Sequence, residues 1–198
     1  MDVADAGHEA GVRSIVVSIG YMGQEALKAA YGKMDAVKID LKSFSESYYK
    51  SVVGGRLKPV LESLVTLRKM DKWTEIVYLV LPGLNDSDAE LLGLAQWVKA
   101  NLGADVPLHF TQFHPAYRMD GVAITPVATL ERAKAIADAE GLHYVYIGNV
   151  PGHLAQNTYC PQCHKMIVER VGFTASRVRI EKGCCSYCKH PIAGVWQV

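Results

Sequence analysis

Five short apolar runs, at residues 14–19, 35–41, 75–81, 106–110 and 143–147, are separated by stretches of helical periodicity. No other feature constrains the fold as much. Runs this short and nearly continuously apolar are the pattern of parallel strands covered on both faces. Over residues 57–70, Leu57, Val60, Leu61, Leu64 and Leu67 recur at three- and four-residue spacing, which predicts an amphipathic helix. Pro59 fits its first turn, where a missing N–H costs little. A second helix begins at Ser87, which forms a capping-box pair with Glu90 ahead of Leu91, Leu94 and Val98. A third, over residues 130–140, stops at Gly141, a residue suited to the left-handed turn past a helix end. Strand–helix–strand repetition implies right-handed crossovers and a parallel sheet. Five strands do not close the usual eight-stranded barrel, so this α/β region is a complete open sheet or part of a barrel. Residues 1–11 read as the end of a helix with no strand before it, which favours the partial barrel. The region occupies residues 1–150. A loop rich in Gly, Asn and Pro at 148–156 marks the passage to a second region, residues 151–198.

All five cysteines lie in that second region, between Cys160 and Cys188. Cys160-Pro-Gln-Cys163 and Cys185-Ser-Tyr-Cys188 are two Cys-x-x-Cys knuckles separated by 21 residues. Four thiolates so spaced can surround one zinc ion tetrahedrally. Residues 166–170 and 177–180 alternate like the strands of a small ribbon. Cys184 is surplus, because using it in place of Cys185 would give the second knuckle a three-residue gap. His164 and His190 are weaker substitutes. A secreted disulfide framework is disfavoured by the clustering, the odd count and an acidic start, Met1-Asp2-Val3-Ala4-Asp5, without a signal-peptide pattern.

Charge excludes further classes. With 21 basic and 20 acidic residues the net charge is +1, too balanced for a nucleic-acid surface driven by bulk charge. No apolar stretch approaches the roughly 20 residues needed to cross a bilayer. The expectation is a soluble cytoplasmic protein without a nucleic-acid or membrane partner.

Ligands of parallel α/β folds bind at the carboxyl ends of the strands. Polar residues just past each run are therefore the site candidates: Ser18, Gly20 and Tyr21; Asp40 and Lys42; Asn85 and Asp86; His114; Asn149 and His153. Asp40 and Lys42, two residues apart at a strand end, suit the charged ends of an amino-acid-like ligand or a cation; a solvated ion pair is the alternative. Asn85-Asp86-Ser87 reads as helix-capping chemistry. His109, inside a strand, reads as a hydrogen-bonded core histidine, whereas His114 lies past the strand end. Tyr48, Tyr49 and the Trp73 region read as packing. Gly54-Gly55, with no Lys-Ser/Thr on a following helix, is a turn and not a phosphate loop.

Several motifs occur in order: Asp35-Ala-Val-Lys-Ile-Asp-Leu-Lys42, Val80-Leu-Pro-Gly-Leu-Asn-Asp86, Pro107-Leu-His-Phe-Thr-Gln-Phe-His-Pro115 and Val145-Tyr-Ile-Gly-Asn-Val-Pro-Gly-His153. Asn157-Thr-Tyr-Cys-Pro-Gln-Cys163 follows, then Cys185-Ser-Tyr-Cys188 and Ile192-Ala-Gly-Val-Trp196. Together they resemble the radical S-adenosylmethionine (SAM) enzymes of the AmmeMemoRadiSam system, relatives of pyruvate formate-lyase activating enzymes, over nearly the whole chain. The resemblance implies a partial TIM-like barrel holding SAM and a [4Fe-4S] cluster that cleaves SAM reductively to a 5′-deoxyadenosyl radical. It also implies that Asp40, Lys42 and His114 lie around SAM. Ile19 stands where the family has Asn before Gly20-Tyr21. The family's Cys-x-x-x-Cys-x-x-Cys cluster motif does not occur; Cys184 and Cys188 have its first spacing, but no third cysteine follows.

The expectation is therefore the C-terminal part of a radical SAM enzyme, its barrel lacking the first strands and followed by a zinc-ribbon-like region. Its partners would be a protein substrate or other components of the system, and the missing N-terminal half. By itself the chain would not assemble the cluster. The alternative is a non-catalytic remnant whose zinc ribbon mediates protein contacts.

Overall fold

The computed structural model describes residues 2–196. In chain order its α/β region comprises α1 (Asp2–Glu9), β1 (Ile15–Ser18), α2 (Gln24–Tyr31), β2 (Ala36–Asp40), the single turn α3 (Glu46–Tyr48), α4 (Leu57–Lys69), β3 (Trp73–Val80), α5 (Asp88–Asn101), β4 (Leu108–Gln112), α6 (Val127–Ala139) and β5 (Val145–Gly148). The C-terminal region adds β6 (Thr158–Tyr159), β7 (Met166–Val171), β8 (Thr174–Val178), β9 (Ile180–Glu181) and β10 (Cys184–Cys185). Each expected strand of the α/β region forms, with its ends displaced by no more than two residues, whereas the expected ribbon strand 177–180 is divided between β8 and β9.

Strands β1 to β5 are all parallel and lie side by side in chain order. A doubly wound sheet would reverse direction at a switch point. Consecutive order with right-handed crossovers instead carries every connecting helix to the same face. Burial follows that rule. Val37, Ile39, Ile76, Tyr78, Val80, Leu108, Phe110, Val145 and Ile147 pack in one core with Leu27, Leu64, Leu67, Leu91, Leu94 and Leu130 of the helices.

The expectation of two covered faces needs correction. Alternate residues of the same strands, Lys38, Asp40, Glu75, His109, Thr111 and Tyr146, share the opposite face and are only partly buried. Among the described residues no helix crosses that face, and its polar side chains keep access to water. Asp40, Val77, His109 and Tyr146 form one row across the sheet by register. Among the described residues β1 pairs only with β2, and its Ile15 and Val17 are 69% and 63% exposed. It is an uncovered edge.

The Ser87 cap forms, its hydroxyl accepting the Glu90 N–H, but the reciprocal half of the capping box does not. The Glu90 carboxylate turns inward and accepts from the Ser43 hydroxyl, the Phe44 N–H and the Tyr78 hydroxyl. A partly buried carboxylate gains more from three donors than from closing a cap at the surface. The C-terminal region folds as an antiparallel β6–β7–β8 sheet with a separate β9–β10 pair. Its small core of Cys160, Ile167, Cys185 and Ile192 includes Tyr144, which joins it to the base of the larger sheet.

Candidate functional site: the strand-end rim and the four-cysteine centre

Parallel pairing brings the carboxyl ends of β1 to β5 to one rim. There the Lys42 ammonium donates to Asp40 Oδ2 at 3.0 Å, with roughly a third of each side chain exposed. The loop carrying Lys42 is fixed from two sides. Its N–H donates to the Tyr49 hydroxyl at 3.2 Å, and its carbonyl accepts from Asn85 Nδ2 at 2.9 Å. Burial pushes the Tyr49 phenol up to about 12, so it remains a neutral partner.

Asn85 is not a cap. It is buried, donates also to the Leu79 carbonyl and accepts from the Leu81 N–H, so one amide ties the end of β3 to the Lys42 loop. Asp86 accepts from the Gly83 N–H, and its carbonyl accepts from Arg132 on α6 at 3.0 Å. Ser18 accepts from the Gly20 N–H, and the Gly20 carbonyl accepts from Ser63 on α4. Gly20 has φ +65°, and a Cβ there would lie 3.2 Å from the Ile39 side chain. Tyr21 packs its ring against Gly55, in the turn that Gly54 opens with φ +74°.

His114 follows β4 on the same rim and is exposed, with no hydrogen bond to Asp40 or Lys42 among the described residues. Asn149 reaches the Gln112 carbonyl at 3.1 Å. His153 leaves the group altogether: Nδ1 accepts from the Ala155 N–H, and Nε2 lies 3.3 Å from Glu131 on α6. The residue that sequence reasoning placed in the core, His109, is hydrogen-bonded but lies on the open face. Its Nε2 meets Glu75 Oε2 at 2.9 Å, and its ring stacks on Tyr146 at 4.8 Å. Burial alone would raise the Glu75 carboxyl; hydrogen bonds from His109 and Trp73, with the charges of His109 and Lys38, outweigh it and hold the group down at about 2. The offset of two residues along each run was the available signal for this face.

The second centre is the cysteine cluster. The sulfur atoms of Cys160, Cys163, Cys185 and Cys188 all lie within 4.8 Å of one another, with Cys160–Cys188 at 3.6 Å and Cys163–Cys185 at 3.8 Å. A tetrahedron with metal–sulfur bonds of about 2.3 Å has edges of about 3.8 Å, so the four donors fit a closed metal site. Cys184 lies outside the group. Both knuckles turn the same way. The carbonyls of Cys160 and Cys185 accept from the N–H groups of His164 and Lys189, four residues on, and those two residues have φ +57° and +63°. His164 is thus a turn residue and not a substitute ligand.

With this geometry in view, the likeness to known proteins is specific in fold. No protein-family model matches the chain. An uncharacterized protein of Methanocaldococcus jannaschii is 40% identical over 193 residues, which cover 96% of this chain and 57% of that protein. The benzylsuccinate synthase activating enzyme of Thauera aromatica is 26% identical over 159 residues, covering 73% of this chain and 48% of the enzyme. The chain spans about half the length of these curated relatives. Among solved structures, a domain of a pyruvate-formate lyase-activating enzyme from Bacteroides vulgatus superposes with TM-score 0.66 at 16% identity, over 75% of this chain and 88% of that domain. A radical SAM methyltransferase from Sphaerobacter thermophilus gives 0.52 at 14% identity, over 74% of this chain and 46% of the other. The fold matches that of these neighbours over about three quarters of the chain. Among the described residues no helix is long and apolar enough to cross a membrane.

Proposed function

We propose that this chain is the SAM-facing part of a cytoplasmic radical SAM enzyme of the activating-enzyme type, belonging to the AmmeMemoRadiSam system and acting on a protein substrate. The observation that carries the reading is the Asp40–Lys42 pair, 3.0 Å apart on the open rim of a radical SAM fold. A carboxylate and an ammonium so placed complement the charged ends of an amino-acid-like ligand, and His114 adds an imidazole on the same rim. In such enzymes a [4Fe-4S] cluster supplies the electron that cleaves SAM to a 5′-deoxyadenosyl radical.

This chain's own residues do not fit that cluster. Four of its five cysteines converge on one closed tetrahedral site, and the fifth stands apart, so three thiolates with an open iron position are not to be had. The contribution assigned here to Asp40, Lys42 and His114 is to hold and orient SAM. The four-cysteine centre is assigned a structural zinc, because an all-thiolate tetrahedron suits that ion and leaves no position for substrate. The bare edge of β1 supports completion of the barrel by a further βα segment that carries the cluster. Anaerobic reconstitution with iron, sulfide, reductant and SAM is the test. The chain alone should release no 5′-deoxyadenosine, and a form extended by a Cys-x-x-x-Cys-x-x-Cys segment should release it. Release by the chain alone, or none by the extended form, would end the reading.

A second reading, a non-catalytic remnant that binds proteins through its ribbon, is favoured by one feature. Every residue of β8 is exposed, and Phe173 projects fully into solvent at the β7–β8 turn. Inactivity of the extended form together with a partner lost on Phe173→Ala would select it.

A further inference from the structure

A cavity of about 480 Å³ opens at the base of the uncovered face, toward the amino ends of the strands and away from the Asp40–Lys42 rim. Small-molecule sites fall in roughly the range 300–1,000 Å³. The walls are aromatic: Trp73 at the start of β3, Tyr144 and Tyr146 around the start of β5, and Trp196 from the C-terminal tail. The tail is shaped to hold Trp196 in place. Its indole N–H donates to the Ile192 carbonyl at 2.7 Å, and a Cβ on Gly194 would come within 2.6 Å of its ring. The Ala193 N–H donates to the Tyr144 hydroxyl at 3.3 Å, which ties the tail to the sheet.

Lys38 and Glu75, register partners on adjacent strands, bring opposite charges to this cavity. Their situations differ. Both Glu75 oxygens are occupied, Oε1 by the Trp73 indole N–H at 3.2 Å and Oε2 by His109 at 2.9 Å. The Lys38 ammonium has no hydrogen bond or ion pair with any described residue and acts on Glu75 only through its charge. Arg170, also in the lining, is already spent on the Gln156 carbonyl and the Thr158 hydroxyl.

We propose that this cavity binds a planar aromatic carboxylate, its ring between the aromatic walls and its carboxylate on the Lys38 ammonium. Aromatic walls reward a flat ring by area and by edge or offset stacking. An ammonium with open donor positions rewards an anion with a charge-assisted hydrogen bond. A neutral ring of the same shape would bury the ammonium without a partner, which costs free energy. A cation would meet Lys38 and Arg13 as like charges and find the Glu75 oxygens already taken, while Asp35, the other carboxylate in the lining, is held by His8 and the Ser14 N–H. The proposal concerns the base of the sheet and stands apart from the reading of the rim.

Isothermal titration calorimetry of the full, metal-loaded chain with 2-naphthoate and with neutral 2-naphthamide tests it. Naphthoate is expected to bind saturably and roughly tenfold tighter than naphthamide, the worth of one charge-assisted hydrogen bond. Lys38→Met should abolish the preference, weakening naphthoate and tightening naphthamide until the two bind alike. Trp196→Ala should weaken both. Equal affinities in the wild type, a preference that survives Lys38→Met, or no saturable binding of either compound at millimolar concentration would overturn the proposal.

Discussion

His109 and Glu75 meet at 2.9 Å across neighbouring strands, on the face of the sheet opposite the helices. The pair shows how this fold treats its interior. The helix-covered face is closed by apolar packing, aliphatic and aromatic, while the open one carries a polar network anchored to the strands. Trp73 donates to the other Glu75 oxygen, and Tyr146 stacks beneath the imidazole.

That network makes stability depend on pH. The Glu75 carboxyl, ordinarily near 4.5, is held at about 2 in the folded chain. A depressed carboxyl stabilises the fold above its unfolded value, and that stabilisation is lost as pH falls from about 4.5 toward 2. Glu75→Gln should therefore flatten the acid limb of a urea-denaturation series across this window. The loss at neutral pH should be about 1–2 kcal/mol, below the full linkage value because the carboxylate keeps some contact with water.

Asn85→Ala should destabilise the chain by about 2–3 kcal/mol, since one buried amide serves three main-chain groups that would then lack partners. Chemical denaturation gives the figure directly. The same variant should loosen the Lys42 loop, seen as faster amide exchange at Lys42 than in the wild type.

Metal analysis of the purified chain should find about one zinc, and Cys160→Ser or Cys188→Ser should abolish it. Cys184→Ser should retain it in full. Zinc lost with Cys184 but kept without Cys160 would require a different ligand set.

In a form able to bind SAM, Asp40→Ala should weaken SAM binding roughly tenfold, as expected for a lost charged hydrogen-bonding group. Equilibrium dialysis measures this without turnover. Unchanged affinity would remove Asp40 from the assigned role.

What the sequence made legible follows the range of each signal. The strands and helices are written in short periods, so 57–70 and the five apolar runs come out nearly as they fold. The cysteine site is two local turns, each readable alone, and only their meeting needed tertiary structure. The capping box was half right because Glu90 answers to Ser43, Phe44 and Tyr78, which no local motif records. His109 was misplaced because a histidine in an apolar run looks buried until the register shows which face it takes. The basal cavity was invisible, since its walls come from strand starts and a tail separated by much of the chain.

The tail leaves the second knuckle at Pro191 and, within five residues, becomes a wall of the basal cavity. Its mechanical consequence reaches past the ribbon. On the zinc reading, the Trp196 wall is carried by the second knuckle, and a chelator that never enters the cavity should slacken one of its sides.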